Sequence, residues 1–541
     1  MSSSNNFLRG TLLLTGASFL SKFLGMIYVI PFTNMVGATG MSLYQMAYTP
    51  YTILLSLSTV GIPLAVSKFV SKYNLLGDYY TSRRILKIGS IIMLIMGVIA
   101  FLVMYFGADF IAARSWDENA KGISIEEVKY VIQILSFALL IIPSMAIMRG
   151  FFQGNKSMGP TAVSQVIEQV VRIVALLLGV FIILYVMKGD RTSAIGFATF
   201  AAVIGGIASW IVLGFYWKKR KSHLDENIEK QTNKVNIPIS ILLKELFRYS
   251  GPFVLVGIAI PLYQLIDQFT FSHAMAKIGL NDISAITYSA FTAQGHKLII
   301  IPVTIATGMS LALIPEITNA FNDNKMEKVK AQINQSLQII MFFVLPAVFG
   351  LLLLGDSIYG SLFGIQDLHI TAEVFTWYAP AALTFAFFTV TSSILQGIEK
   401  QKFTLISLSV GILIKVLFNS LFIQLFEAKG AVIVTFIASG IAVLLNLWQI
   451  KRTINFSFRK FYKLSLLMLI FTIAMSIVLL LVKYVLGLFL DVHTSRTDAI
   501  LMMIIGVVLG GGVYLYLGYA STLFEKITGR RIAILDRIIR R

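Results

Sequence analysis

The chain has 541 residues, of which 57% are hydrophobic and only 13% are charged, and its mean hydropathy is +0.81. This balance excludes an ordinary soluble domain, in which about a quarter of the residues are charged. There is no cysteine, which excludes disulfides, thiolate metal sites and cysteine nucleophiles. In a soluble protein, a formal net charge of +19 would suggest binding to nucleic acid. In a membrane protein, the distribution of positive charge first indicates how the chain is oriented across the membrane.

Apolar stretches long enough to cross about 30 Å of hydrocarbon recur along the whole chain. Because backbone in lipid must satisfy its own hydrogen bonds, these continuous stretches predict an all-α polytopic membrane protein rather than a β-barrel. We predict fourteen transmembrane helices, at residues 7–36, 44–73, 84–110, 128–153, 159–187, 192–217, 247–276, 287–320, 330–355, 371–397, 401–426, 429–450, 461–487 and 498–524.

The basic residues predict how the chain is oriented. An even number of spans places both termini on one side of the membrane, and most of the 45 Lys and Arg residues fall in loops on that side. The positive-inside rule therefore predicts cytoplasmic termini. We expect no cleavable signal peptide, because the first apolar run does not end in a small-residue cleavage site. The C-terminal "RRIAILDRIIRR" predicts an amphipathic helix on the inner leaflet.

An internal repeat predicts two lobes. The segment "FFQGNKSMGPTAVSQVIEQVVRI" aligns without gaps on "ILQGIEKQKFTLISLSVGILIKV" at an offset of 243 residues, which sets Arg172 over Lys415. Separately, "VGIPLAVSKF" aligns on "TGMSLALIPE" at an offset of 247 residues. Because six spans separate the partners, the repeats are parallel, and they are related by an axis along the membrane normal.

These patterns divide the chain into four parts. We predict an N-terminal lobe of six helices at residues 1–217 and a cytoplasmic connector at 218–246. A C-terminal lobe of six helices follows at residues 247–450. Residues 451–541 hold the last two spans and a basic tail, and they lie outside the repeat.

Ionisable residues inside the predicted spans are the candidates for a functional site, because each costs at least about 2.5 to 3.5 kcal/mol to bury in lipid. A further cation, Arg149, lies near a predicted cytoplasmic end. The interior candidates are Lys22, Glu168, Arg172, Asp267, Lys297 and Lys415.

Most of these interior candidates are basic, which predicts the charge of the cargo. If the two lobes enclose a water-filled cavity, Lys22, Arg172, Lys297 and Lys415 make its wall cationic. Such side chains donate charge-assisted hydrogen bonds to phosphate or pyrophosphate, so they are the predicted substrate-binding residues. The two acids would then be supporting charges, which limit the net charge of the empty cavity.

Two alternatives stay open for the acids. Glu168 and Arg172 lie four residues apart, so they either neutralise each other as an internal pair or take part in substrate binding. Asp267 is either the partner of a cation on another helix or a cavity charge. We expect no catalytic residue, metal or cofactor, because the sequence has no Walker A, G-x-S-x-G or H-E-x-x-H pattern.

Four stretches carry a family resemblance: "SKFLGMIYVIPFTNMVGATGMSLYQ", "VGIPLAVSKFVSKYN", "RGFFQGNKSMGPTAVSQVIEQVVRI" and "KLIIIPVTIATGMSLALIPEI". Together they resemble the MurJ-like branch of the multidrug/oligosaccharidyl-lipid/polysaccharide exporter superfamily, and they are most similar to its YtgP-type members from Gram-positive bacteria. The resemblance covers nearly the whole chain. It implies a multi-pass transporter of the bacterial cell membrane, and not an enzyme.

The resemblance also implies a cargo. Members flip lipid II, the undecaprenyl-pyrophosphate-linked peptidoglycan precursor, from the inner to the outer leaflet by alternating access through a cationic central cavity. The implied partners are this lipid and the membrane lipids, with no nucleic acid, and we expect a monomer. Two alternatives are a flippase for another polyprenyl-linked polysaccharide unit and a drug/cation antiporter of the same superfamily.

The resemblance implies roles for particular residues. Lys22 and Lys297 fall where the family carries basic residues that contact the pyrophosphate and sugar head. Tyr28 and Val29 stand where Gram-negative members carry an Arg-Asp pair, so Arg172 and Lys415 are expected to supply positive charge instead. The last two helices are implied to form a hydrophobic groove for the polyprenyl tail.

Overall fold

The structure is a computed structural model that describes residues 2–59, 62–231 and 257–528, together with residues 238, 240 and 244. All regular secondary structure within these residues is helical, which confirms the predicted all-α fold. The predicted amphipathic C-terminal helix lies outside the described residues. The part of the predicted connector that follows Gln231 also lies outside the described residues, apart from residues 238, 240 and 244.

Twelve helices in the described part of the chain are long and apolar enough to cross a membrane. The predicted count of fourteen is compatible with this number but remains a prediction. The segment Gly16–Thr59 holds most of the first predicted span and about half of the second, and Gly37 breaks the helix between them with a φ of 70° and a ψ of 178°. The rest of the second predicted span falls in the separate helix Ile62–Leu75. The predicted seventh span begins among residues outside the described ranges.

The helices pack into two compact units, Met1–Phe269 and Thr270–Arg541. A single helix, α10 (Ala259–Lys277), contains the division between them. The helices of the first unit before it are α1 (Ser2–Ile27), α2 (Val29–Thr59), α3 (Ile62–Leu75), α4 (Tyr79–Phe106), α5 (Ala108–Ser115), α6 (Ile125–Ser136), α7 (Ala138–Gly154), α8 (Gly159–Phe181) and α9 (Arg191–Glu229).

The second unit contains the remaining helices. A π-helical turn, Ala290–Gln294, precedes its first long helix, and another, Ile182–Val186, extends α8 of the first unit. The helices are α11 (Ser284–Ser289), α12 (Gly295–Asn322), α13 (Met326–Leu353), α14 (Gly355–Phe363), α15 (Leu368–Tyr378), α16 (Ala381–Gly397), α17 (Gln401–Phe426), α18 (Ala428–Ile454), α19 (Arg459–Gly487), α20 (Arg496–Ala520) and α21 (Leu523–Thr528).

Short polar signals set where several helices of the first unit begin. The Asp78 carboxylate accepts a hydrogen bond from the Thr81 amide at 3.0 Å and caps α4. Ser124 and Glu127 form a capping box at the start of α6. These side chains satisfy amide groups that the first helical turn leaves without a partner, so each helix has a defined start.

The last two long helices pack against the second unit and not apart from it. Helices α19 and α20 contact each other, and they also contact α13 and α14 respectively. The Tyr514 hydroxyl donates a hydrogen bond to the Phe342 carbonyl at 2.8 Å. This bond ties α20 to α13 inside a buried apolar cluster that also contains Met468 and Leu479.

An apolar groove lies between this final pair and helices α12 and α13. It has a volume of about 450 Å³. The expected hydrophobic groove is therefore present within the second unit, with both final helices in its wall. The residues that line this apolar groove are Leu298, Ile301, Pro302, Phe342, Phe343, Pro346, Ala347, Gly350, Leu351, Leu354, Ile358, Leu362, Met475, Leu479, Met503, Gly506, Val507, Gly511, Tyr514 and Leu515.

The sequence repeat has a counterpart in the backbone of each unit. Lys156 and Glu399, which are 243 residues apart, both adopt left-handed backbone, with φ of 56° and 59°. Gly77 and Asn324, which are 247 residues apart, do the same, with φ of 74° and 57°. These are the two offsets of the sequence alignment, so each unit repeats the same turns after equivalent helices.

The repeat extends to the closest approach between helices. A Cβ atom on Gly154 of α7 would lie 2.6 Å from the Val70 Cβ on α3. A Cβ atom on Gly397 of α16 would lie 2.7 Å from the Ile317 Cγ2 on α12. Both glycines and both contacted residues are equivalent in the repeat. In each unit, a glycine without a side chain therefore allows two equivalent helices to pack closely, α3 with α7 and α12 with α16.

We expect Gly154→Ala and Gly397→Ala to destabilise the protein, because the added methyl group must push two packed helices apart. Overpacking of this kind costs about 1 to 3 kcal/mol. The measurement is the thermal unfolding temperature of the detergent-solubilised protein. Gly214→Ala is the matched control, because a Cβ atom there meets no atom within 4 Å. Equal unfolding temperatures for all three variants would contradict the repeated contact.

Candidate functional site

Glu168, on α8, is paired with a cation from a different helix. Its Oε2 atom lies 2.6 Å from Nη2 of Arg149 on α7. The same Nη2 donates to the Ser209 hydroxyl on α9 at 2.8 Å, and Nε of Arg149 donates to the Ser164 hydroxyl at 3.1 Å. The partner of Glu168 is therefore Arg149, and the alternative of an internal pair with Arg172 is not the arrangement observed. The ion pair joins α7, α8 and α9.

Arg172 interacts with tyrosines instead of a carboxylate. Its Nη2 atom donates to the Tyr44 hydroxyl at 3.1 Å and to the Tyr48 hydroxyl at 3.2 Å. Its guanidinium carbon lies 5.3 Å from the centre of the Tyr48 ring, as in a cation–π contact. Hydroxyl oxygens and a ring face stabilise the guanidinium but carry no negative charge. The positive charge of the half-buried Arg172 is therefore not offset by these contacts.

A tyrosine cluster, which was not predicted from the sequence, therefore surrounds Arg172. The rings of Tyr44 and Tyr48 are stacked with centroids 5.4 Å apart, and the hydroxyls of Tyr28 and Tyr44 lie 3.3 Å from each other. A signal for it was present, because Tyr44, Tyr48 and Tyr51 recur at the spacing of one helix face. Nothing in the local sequence joins that face to Arg172.

Lys22 lies on α1, which packs against α8. The Ser18 hydroxyl donates to Oε1 of Gln165 at 3.3 Å, and the Ser21 hydroxyl donates to the Gln165 carbonyl at 3.4 Å. These bonds hold α1 beside the helix that carries Glu168 and Arg172. The Lys22 side chain is exposed on the surface of the first unit.

Asp267 lies on α10 and is buried, with 3% exposure. Its neighbour Gln268 donates to the Met46 carbonyl at 2.8 Å and to the Ser115 hydroxyl at 2.7 Å. These bonds attach this part of α10 to the helices of the first unit. Both alternatives for Asp267, a helix-to-helix partner and a cavity charge, remain predictions.

Lys297 lies in the second unit near the start of α12, directly after the π-helical turn, and is half-buried. Gln294, the last residue of that turn, accepts hydrogen bonds from the Ser289 and Tyr359 hydroxyls. His296, two residues after Gln294, has its Nδ1 atom 3.1 Å from the Tyr378 hydroxyl. A π-helical turn is uncommon and often marks a functional position, but no signal in the sequence predicted it here.

Lys415, on α17, is fully buried. Its ammonium donates to the Ala431 carbonyl at 3.3 Å and to the Thr435 hydroxyl, both on α18. Arg172 and Lys415 are equivalent in the sequence repeat, yet the first is half-buried against tyrosines and the second is enclosed between two helices. Within the second unit, Lys415 and Lys297 lie on different helices.

Two family models match the chain. Residues 7–321 match the model described as "Polysaccharide biosynthesis protein", and residues 252–421 match the MatE model. A relative named "Lipid II flippase MurJ", from Bacillus subtilis (strain 168), is 43% identical over 532 residues, which are 98% of this chain and 98% of the relative.

Solved structures share the fold. The structure titled "Lipid II flippase MurJ, inward closed conformation" matches with a TM-score of 0.66 at 18% identity, over 96% of this chain and 100% of that chain. An inward-facing multidrug resistance MATE family transporter matches with a TM-score of 0.62 at 16% identity, over 80% of this chain and 95% of that chain. At these identities the matches bear on the fold alone.

We expect Glu168→Gln to reduce the amount of folded protein in the membrane, because it leaves the Arg149 guanidinium without its counter-charge. Removing one partner of a buried pair costs about 3 to 5 kcal/mol, and we expect less here because the two side chains keep 17% and 20% of their exposure. The double change Arg149→Met with Glu168→Leu should recover much of the loss. Membrane abundance and thermal unfolding measure both effects.

The control for this prediction is the double change Arg172→Met with Glu168→Leu, which leaves Arg149 without a counter-charge. It should fail to recover folded protein. Equal recovery by the two double changes would mean that the Arg149–Glu168 pair does not hold these helices together.

A second prediction concerns the two hydroxyls that share one Arg172 nitrogen. Tyr44→Phe or Tyr48→Phe alone leaves one acceptor, whereas the double change leaves none, and a hydrogen bond to a charged group contributes about 1.5 to 3 kcal/mol. We therefore expect the double change to lower the unfolding free energy by more than the sum of the single changes. The combination of Tyr48→Phe with Tyr51→Phe serves as control and should be additive. Additivity in both combinations would contradict a shared role at Arg172.

Proposed function

We propose that this chain, which belongs to the MurJ-like branch of the multidrug/oligosaccharidyl-lipid/polysaccharide exporter superfamily, moves lipid II from the inner to the outer leaflet of the bacterial cell membrane. The observation that carries the proposal is the 43% identity to a protein named as a lipid II flippase, which extends over 98% of both chains. The chain is thus a multi-pass membrane transporter and not an enzyme. The predicted cytoplasmic position of both termini is part of the proposal.

Lys22 and Lys297 are the proposed contacts for the pyrophosphate and sugar head. The Lys22 side chain is exposed, and Lys297 is half-buried beside a π-helical turn. An ammonium group donates up to three hydrogen bonds, and bonds to phosphate oxygens are charge-assisted. We propose alternating access through a cationic central cavity, which opens first to the inner side of the membrane and then to the outer side.

Arg172 and Lys415 have a different place in the proposal. Both already have protein partners, the tyrosines for Arg172 and α18 for Lys415. We propose that they contribute positive potential to the cavity, and that they contact the substrate only where those bonds exchange during the cycle. Glu168 and Asp267 remain supporting charges, and Arg149 fixes the position of Glu168.

The apolar groove is the proposed position of the polyprenyl tail. Its wall is formed by carbon-rich side chains of the last two long helices and of α12, the helix that also carries Lys297. Burial of apolar surface contributes about 25 cal/mol per Å², so a long hydrocarbon chain gains substantial free energy in such a groove. This arrangement would hold the tail while the head crosses the membrane.

We expect Lys22→Ala and Lys297→Ala to reduce flipping while protein still reaches the membrane. Each loss removes charge-assisted bonds that contribute about 1.5 to 3 kcal/mol per contact, which corresponds to roughly a 10- to 100-fold effect. The measurements are rescue of cells depleted of their lipid II flippase, the lipid II accessible at the outer leaflet, and membrane abundance of the variant.

Lys429→Ala is the matched control, because Lys429 forms an exposed ion pair with Glu373 at 2.9 Å and has no proposed role in transport. Full rescue by Lys297→Ala at normal abundance would overturn the proposed head-group site. If the unaltered chain neither prevents lysis of the depleted cells nor restores lipid II at their outer leaflet, the cargo is another polyprenyl-linked glycan or a different compound.

A further inference from the structure

A pocket of about 500 Å³, which we call the polar pocket after its cationic and amide side chains, lies entirely within the first unit, and none of the residues assigned above to transport lines it. It forms where the turn between α3 and α4, the turn between α7 and α8, and the last part of α9 meet. The distribution of basic residues predicts that this end of the unit is cytoplasmic. The residues that line this polar pocket are Ser71, Asn74, Leu75, Tyr79, Phe151, Phe152, Gly154, Asn155, Lys156, Ser157, Arg220, His223, Leu224 and Asn227.

The lining of the polar pocket suits an anion. It presents two cations, Arg220 and Lys156, beside the imidazole of His223 and three side-chain amides. Among the described residues that line it, none carries a carboxylate. The nearby acid Asp225, on α9, is occupied by Arg83 at 3.0 Å. The described residues of the lining therefore offer donors and positive charge.

Hydrogen bonds between the elements hold the polar side chains of the pocket in place. Nδ2 of Asn74 donates to Oδ1 of Asn155 at 2.9 Å, and the Ser82 hydroxyl donates to Oδ1 of Asn74 at 2.6 Å. Arg220 donates to the Ser157 hydroxyl, and its guanidinium carbon lies 5.7 Å from the centre of the Phe152 ring. The same carbon lies 5.8 Å from the centre of the Tyr216 ring on α9. One polar and two aromatic contacts thus orient the cation without a ligand.

The outer wall of the pocket is also fixed. This wall is the last part of α9, which has 39 residues and is longer than its counterpart in the second unit, α18, with 27 residues. The ion pair from Arg83 to Asp225 ties the end of α9 to α4. The amide of Tyr80 donates to Oε1 of Gln231 at 2.9 Å, just after α9 ends. These contacts hold His223 and Asn227 in the wall.

The repeat shows that the fold itself does not require this polar lining. The second unit has the same left-handed turn, but it carries Ile398 and Glu399 at the positions equivalent to Asn155 and Lys156. Phe321 stands at the position equivalent to Asn74. The same backbone therefore carries an amide and a cation in one unit and apolar and acidic side chains in the other, so this turn does not require the polar residues of the first unit.

We propose that the polar pocket binds a phosphate-bearing ligand at a second site, separate from the transport residues. The guanidinium, ammonium and amide groups donate to the phosphate oxygens, and Phe151, Phe152 and Tyr79 contact the rest of the ligand. The phosphate belongs either to an anionic phospholipid head group or to a soluble phosphorylated compound. The site goes beyond the proposed transport function and does not depend on it.

The first arm of the test uses inorganic pyrophosphate, titrated calorimetrically into the full-length protein in a neutral maltoside detergent. The protein carries Lys297→Ala throughout, which weakens the proposed transport site. Arg220→Gln and Lys156→Glu should each weaken binding about 10- to 100-fold, the effect of losing one charge-assisted contact. Lys156→Glu introduces the residue that already occupies the equivalent left-handed position at Glu399, so it keeps the test valid if Arg220→Gln misfolds.

The second arm uses nanodiscs of phosphatidylcholine with and without phosphatidylglycerol. If the phosphate belongs to a lipid, phosphatidylglycerol should raise the unfolding temperature of the parent protein, and the pocket variants should lose that rise. Arg452→Gln is the matched control for both arms, because Arg452 also lies over an aromatic ring of its own helix, Trp448, at 5.4 Å but does not line the pocket.

The outcomes separate the sources. Loss of pyrophosphate binding in the pocket variants alone supports a soluble phosphorylated ligand, and loss of the phosphatidylglycerol effect alone supports a lipid head group. No effect in either arm, or an equal effect of Arg452→Gln, overturns the proposal.

Discussion

A charged side chain among membrane-spanning helices must be stabilised by protein or by water, because hydrocarbon provides neither hydrogen bonds nor counter-charge. This chain meets the requirement differently at each interior charge. Arg149 and Glu168 neutralise each other and add two serine hydroxyls. Arg172 takes two phenolic oxygens and a ring face. Lys415 donates to a backbone carbonyl and a threonine on the next helix. The helices that carry the charges are positioned by these bonds.

The same requirement sorts the charges by availability. Lys415 is enclosed by protein and donates its hydrogen bonds to protein acceptors. Such a cation contributes positive electrostatic potential but has few N–H groups left to donate to a ligand. Lys22, with an exposed side chain, and Lys297, which is half-buried, keep accessible surface. In the proposed function, Lys22 and Lys297 donate bonds to the pyrophosphate while the enclosed cations contribute only positive potential, so few bonds have to break when the head group is released.

The two units share a scaffold but not a chemistry. Gly154 and Gly397 set the same close helix contact, and equivalent residues form the same left-handed turns. At the position of Glu168, however, the second unit has Gly411. Backbone contacts tolerate little change, because they fix the distance between helices, whereas side chains that face a pocket or another helix are free to differ. The polar pocket is the clearest case, since it is built on a turn that both units possess.

Much of the fold was accessible from the sequence, because hydropathy and helix periodicity are local properties. Long apolar runs gave the all-α fold, and the helix break at Gly37 falls between the first two predicted spans. The interior charges were also visible, since any ionisable residue in an apolar run is conspicuous. Their partners were not. The spacing of Glu168 and Arg172 suggested one pair on α8, but the carboxylate bonds to Arg149, nineteen residues earlier.

The sequence by itself determined that this chain crosses a membrane many times, that it repeats one helical unit, and which charges lie inside it. Its family followed from extended stretches of residues and needed no coordinates. The tertiary structure decided which side chain stabilises each charge, that tyrosines surround Arg172, that the last helices help to form an apolar groove, and that amides and cations converge in a polar pocket. These features depend on which helix faces meet, and that depends on contacts between residues far apart in the chain, which no local pattern records.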